Sequence, residues 1–147
     1  MILDILTDQH TDILRILDSI SNDLRTPEKL NPQGVSKLRS SLSILTGKLR
    51  VHISMESQNV YTKCAHSNNA ELSQSAKNLK NEMDSFTMLF MEYNKKWSAA
   101  SDIADDMNSF INETVIMFQN LKIRFDAQET GIYDLLRDQT DLLPPQA

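Results

Sequence analysis

Glycine and proline are scarce, with 3 and 4 residues among 147. Glycine makes up about 2% of the chain, where ~7% is usual. Sheet proteins with many turns use more of both, so the composition disfavours an all-β sandwich or barrel. The single cysteine, Cys64, excludes an intrachain disulfide and reads as a small buried side chain, not a nucleophile. Basic residues number 15 against 20 acidic ones, giving a net charge of −5 and a pI near 5.1. That balance lacks the basic stripe of a nucleic-acid protein. No apolar run approaches ~18 residues, so no membrane span is expected. No basic segment precedes Ile2 and Leu3, so no secretory signal is expected and a cytoplasmic location is.

Catalytic signatures are equally thin. Gly34, Gly47 and Gly131 are too scattered for a phosphate-cradling loop or a dinucleotide fingerprint. No Gly-x-Ser-x-Gly elbow and no cysteine pair is present. The chain is therefore not expected to be an enzyme.

What is present is a helical pattern. Hydrophobic residues make up 40% and charged residues 24%, as in an ordinary globular domain. Apolar positions recur at alternating steps of three and four. The first stripe runs Leu3, Leu6, His10, Ile13, Leu17, Ile20, Leu24, and the second Leu38, Leu42, Leu45, Leu49, His52, Glu56. The third runs Leu72, Ala76, Leu79, Met83, Phe86, Phe90, Tyr93, Trp97. The fourth runs Ile103, Met107, Phe110, Thr114, Met117, Leu121, Phe125, then Gln128 or Glu129, Ile132 and Leu135 or Leu136. Arg25 to Gly34, Ser67 to Asn69, and Ser98 to Ser101 read as the joins, with Ser101 a candidate cap for the fourth helix. The expected fold is all-α, an antiparallel up-down four-helix bundle over residues 1–143, followed by a short tail over 144–147 containing Pro144 and Pro145.

Polar residues interrupt these stripes at His10, at His52 with Glu56, and at Glu129 or Gln128. Burying a carboxylate costs several kcal/mol unless it is paired or bound to a metal. His52 and Glu56 are four residues apart, so both project from one helix face, one turn apart. Helix bundles build histidine and carboxylate metal sites in this way. By contrast, His66 reads as solvent-facing. The methionines and the ladder Phe86, Phe90, Tyr93, Trp97 read as core filler.

The segment His52-Ile-Ser-Met-Glu56-Ser-Gln-Asn-Val60-Tyr61 is similar to Arg124-Phe-Asp-Ala-Gln128-Glu129-Thr-Gly131-Ile132-Tyr133, with nine residues from first position to tyrosine in both. The first resembles the His-x-x-x-Glu signature of the hemerythrin-like (HHE cation-binding) family, and Leu6-Thr-Asp-Gln-His10-Thr-Asp-Ile13-Leu14 resembles that family's first-helix histidine segment. The resemblance implies an antiparallel four-helix bundle around a non-haem di-iron centre that binds or senses oxygen or nitric oxide, or handles iron. It implies His10, His52, Glu56 and Glu129 as metal ligands, drawn from a full set of five histidines and two bridging carboxylates.

The chain departs from that set. It has three histidines in all. Leu79 and Met83 stand on the third helix near the level of His52 and Glu56, and neither suits an iron centre. Arg124 takes a histidine position and Phe125 takes it in the alternative register. Two outcomes follow. In the first, an internal polar network replaces the site, with Arg124 paired to Glu129 or Glu56, His10 and His52 hydrogen-bonded to the remaining carboxylate oxygens, and Leu79 and Met83 filling the vacated space. In the second, His10, His52, Glu56 and Glu129 hold one metal, with Tyr61 or Tyr133 nearby. The missing third-helix ligand favours the first. The expected function is a small binding or regulatory module with an eroded di-iron site, no favoured cofactor and an unidentified protein partner. The alternative is an iron-binding oxygen or nitric oxide sensor, or an iron-handling protein, with a mononuclear or di-iron centre.

Overall fold

The computed structural model describes residues 2–138. The expected domain end at 143 and the tail over 144–147 lie outside the described residues. The first helix, α1, spans Ile2–Leu24, and every member of its stripe from Leu3 to Leu24 is buried. A 3-10 turn at Pro27–Lys29 follows, then α2 over Pro32–Glu56. Pro32 stands at the first helical position, where its missing N–H costs nothing. Asn31 caps the helix, its Oδ1 accepting from the Gly34 N–H at 2.8 Å.

That cap brings the chain close enough to itself to require a glycine. A Cβ on Gly34 would overlap the Lys29 carbonyl, whereas one on Gly47, at mid-helix, would meet nothing. Gly34→Ala is therefore expected to destabilise the fold by about 1–3 kcal/mol, the usual result of forced overpacking. Gly47→Ala is expected to stabilise it by about 0.5–1 kcal/mol by removing helix-interior glycine. Melting temperatures shifted in opposite directions check both. A Gly34→Ala melt equal to that of the parent would refute the close approach.

Beyond Glu56, α2 loosens into a π-helical turn at Ser57–Tyr61 and ends in α3, Thr62–Ala65. Asn69 caps α4, Ala70–Lys96, through a bond from the Leu72 N–H at 3.0 Å. The C-terminus of α4 is held by Arg39 of α2, which donates to the Trp97 carbonyl at 2.7 Å. The Trp97 indole donates to Glu113 Oε2 at 2.6 Å.

The start of the fourth stripe differs from expectation. A short α5, Ala100–Asp105, carries Ile103, and Ser101 lies inside it, not at its cap. The long helix α6 begins afresh over Met107–Gln128, because Asp106 leaves helical geometry (φ −145°, ψ 66°) and caps it by accepting from the Ser109 N–H. A second π-helical turn, Glu129–Tyr133, leads to α7, Asp134–Arg137.

Four long helical stretches thus pack into a bundle, and the described residues contain no strand. No helix among them is long and apolar enough to cross a membrane. The buried apolar residues form two clusters. One gathers Ile13, Leu17, Leu42, Leu45, Phe86, Phe110 and Phe125. The other gathers Leu6, Val60, Tyr61, Leu72, Ile132 and Tyr133. Each fully buried Leu, Ile or Phe contributes roughly 1.5–3 kcal/mol, so these clusters dominate stability. Four buried polar side chains, His10, His52, Glu56 and Gln128, occupy the same inward stripes, at the junction of the clusters.

Candidate metal centre

The four side chains come from α1, α2 and the end of α6. His52 and Glu56 project from one face of α2, as their spacing of four requires. The π-helical turns then do what a regular helix would not. A π turn keeps residues five apart on one face. Tyr61 is five residues beyond Glu56 and Tyr133 five beyond Gln128, so both phenols turn back to the carboxylate. The Tyr133 hydroxyl donates to Glu56 Oε2. Gln128 Nε2 donates to Glu56 Oε1 at 2.9 Å and to the Tyr61 hydroxyl at 3.0 Å. Glu56 is fully buried, and these donors compensate its desolvation.

The two imidazoles are oriented from outside. Gln9 reaches from α1, and its Oε1 lies 2.7 Å from His52 Nδ1. Its Nε2 faces the Met55 thioether at 3.0 Å. A thioether can only accept, so the amide N–H₂ belongs on that side and the amide oxygen faces His52. His52 Nδ1 therefore carries a proton and donates it to Gln9. His10 Nδ1 lies 3.0 Å from Glu129 Oε2, and a carboxylate likewise only accepts. With both protons directed outward, the two Nε2 atoms present bare electron pairs inward. They face each other 2.9 Å apart, and His52 Nε2 stands 3.4 Å from Glu56 Oε2. Phe125 closes the site by stacking on the His10 ring, with centroids 3.8 Å apart and planes 13° apart.

Electrostatics follow from this burial. Desolvation, reinforced by neighbouring His52, lowers the His10 pKa to about 3, while Glu56 and the Gln128 side chain act the other way. Burial, then the Glu56 charge, raises both Tyr61 and Tyr133. Both phenols are neutral at physiological pH. Burial also raises Glu129.

The donor set suits a cation. One ligand atom each from His10, His52 and Glu56 lies within 4.8 Å of the others. Donors held ~2.1 Å from a common ion and separated by about a right angle stand roughly 3 Å apart, close to the spacing of the two nitrogens. The charge that would oppose an ion is elsewhere. Arg124 was expected to pair with Glu129 or Glu56; its Nη1 instead bonds Glu82 of α4 at 2.8 Å. It sits on the outer flank of α6 because Phe125, the next residue, takes the inward position.

Glu129, expected among the ligands, lies outside the cluster. Its side chain is 35% exposed and touches only the outward nitrogen of His10. The inward residue at this level of α6 is Gln128, 1% exposed. Gln128 follows Phe125 by three residues on α6 and continues its inward stripe, and the offset of 72 residues between Glu56 and Gln128 recurs between Tyr61 and Tyr133. Met83 is buried in the larger apolar cluster and Leu79 packs on the smaller one, against Gly131. Among the described residues, no histidine or carboxylate of α4 joins the ligand group. Gln9 carried no signal in the sequence, since it lies beside the stripe, not in it. The buried neighbours Val60–Tyr61 and Ile132–Tyr133, which break the three-and-four period, were the available sign of the π turns.

Residues 1–136 match the family described as hemerythrin HHE cation binding domain. No curated protein and no solved structure matches the chain.

Proposed function

Because the chain belongs to the hemerythrin HHE cation-binding domain family, we propose that it is a metal-binding module holding one ion between His10, His52 and Glu56. The observation that carries this reading is the pair of Nε2 atoms facing each other 2.9 Å apart while both outer nitrogens face acceptors. Each outer nitrogen is committed to an acceptor, so the inner pair needs a shared proton or a cation. The polar network expected in place of a metal site has a counterpart around Glu56, through Tyr133 and Gln128, without the Arg124 pairing. His10 joins it through Glu129, and the two inner nitrogens meet each other.

Two imidazoles and a carboxylate suit iron, zinc and other first-row divalent ions, and the family favours iron. Such an ion supplies a Lewis acid and, as iron, one-electron chemistry. This chain's residues supply position: Gln9 and Glu129 hold the imidazole tautomers, Tyr133 orients the carboxylate, and Phe125 excludes water. A second ion has too few donors, since Phe125, Leu79 and Met83 are apolar or soft and Arg124 is cationic. All three ligand residues are at most 1% exposed, which leaves no open face for an organic substrate. We therefore read the module as regulatory or iron-handling, with the ion tying α1 to α2, and not as an enzyme.

Elemental analysis of tag-free protein purified from iron-supplemented medium tests this. About one ion per chain is expected. About two per chain would restore a di-iron centre, and less than about a tenth would leave the polar network as the whole account.

A further inference from the structure

We propose that the amide oxygen of Gln128 is a fourth ligand, and that this neutral donor makes the centre selective for a divalent over a trivalent ion. The inference rests on the metal-binding reading above and deepens it. Gln128 Oε1 is buried and has no hydrogen-bond partner, although the residue is 1% exposed. Unpartnered buried polar atoms are uncommon and call for an explanation.

The direction of that oxygen is dictated by its neighbours. Glu56 Oε1 can only accept, so the Gln128 N–H₂ must face it, and the same nitrogen reaches Tyr61. Turning the amide over would set its oxygen against a carboxylate. The oxygen is therefore turned away from Glu56 and Tyr61, and the Gln128 side chain neighbours His10. The two Nε2 atoms, whose outer nitrogens face acceptors, are the donors it would join around a cation.

The internal repeat sharpens the point. Gln128 precedes its π turn as Glu56 precedes the other, and each is followed by a tyrosine five residues on. Where a symmetric site would place a second carboxylate, this chain has an amide of nearly the same shape and no charge. The proposed ligand set is then two neutral imidazoles, one neutral amide and one carboxylate. A divalent ion leaves one net positive charge in the buried site and a trivalent ion leaves two. The desolvation penalty grows steeply with charge in a low-dielectric interior. Glu129 touches only the far side of His10, and Arg124 is turned to Glu82, so neither alters that balance directly.

The test uses the full chain and its Gln128→Glu and Gln128→Met variants. Each is loaded anaerobically with Fe(II), and in parallel with Zn(II), and affinities are measured. The loaded protein is then titrated with ferricyanide, which takes one electron from each Fe(II) and leaves Fe(III) and ferrocyanide. Gln128→Met, nearly isosteric but lacking the oxygen, is expected to bind both divalent ions at least about tenfold more weakly. Gln128→Glu is expected to raise the preference for Fe(III) over Fe(II) at least about tenfold, lowering the midpoint potential by about 59 mV or more. Unchanged Zn(II) affinity in Gln128→Met, or an unchanged potential in Gln128→Glu, would overturn the role of Gln128 while leaving the metal site standing. If the parent chain takes up neither ion, the metal-binding reading itself fails. Should Gln128→Met not fold, the potential of Gln128→Glu decides alone.

Discussion

His52→Ala is expected to empty the metal centre, reducing bound metal from about one ion per chain to below about a tenth, while the helical fold persists. In the proposed site His52 supplies one of only two nitrogens, and its ring stands 2.7 Å from Gln9 and 2.9 Å from His10. No other imidazole can replace it, because the third histidine, His66, is exposed beyond α3. An ion that binds the folded chain and not the unfolded one stabilises the fold, so losing it would also remove ligand-linked stability. At a free metal concentration a hundredfold above Kd that linkage is worth about 2.7 kcal/mol. For a chain of this size each kcal/mol moves the melting temperature by roughly 2–4 °C. Elemental analysis and thermal melts with and without added metal read both effects. A variant that keeps its full metal content would remove His52 from the site. One that loses metal with no change in melting would show that the ion is not coupled to folding.

Glu56→Leu should produce the largest loss of stability in the metal-free chain, about 3–5 kcal/mol. The carboxylate is fully buried and accepts from the Tyr133 hydroxyl and the Gln128 amide. Leucine fills comparable space but accepts nothing. Tyr133 would then be a buried donor without a partner, at about 1–3 kcal/mol, and Gln128 would keep only Tyr61. Glu56→Gln keeps one acceptor oxygen and is expected to lose less. Urea unfolding of metal-free protein measures the difference through the midpoint at constant slope. A Glu56→Leu loss under about 1 kcal/mol would mean that the network around Glu56 contributes little.

The donors around Glu56 explain how a charged group persists in this core. Glu56 is held from one side by phenol and amide donors and presents Oε2 to His52 on the other. The two Nε2 atoms meet across α1 and α2, 2.9 Å apart, so an ion held there would link those helices.

The helical periodicity, and with it the bundle and its core, was determined by the sequence alone. Apolar side chains three and four apart can be buried together only on a helix face, and Leu3 to Leu24, Leu38 to Leu49 and Phe86 to Trp97 all obey that rule. His10, His52 and Glu56 were legible for the same reason: polar residues on an apolar stripe must be inside, and inside they must meet. What the sequence left open was the end of α6. Gln128 and Glu129 are adjacent, and helical spacing admits either as the inward residue. The regular helix runs through Gln128, which follows Phe125 by three and Leu121 by seven and so continues the inward stripe, and the π-helical turn that follows carries Ile132 and Tyr133 into the core. Only the tertiary structure could show that Gln128 goes in, that Glu129 holds His10 from outside, and that Arg124 turns away to Glu82. Only it could show Gln9 crossing from α1 to fix the His52 proton. Local spacing decides which face of a helix is apolar. Which of two neighbouring polar groups meets a charge on another helix depends on donors and acceptors brought together from three parts of the chain.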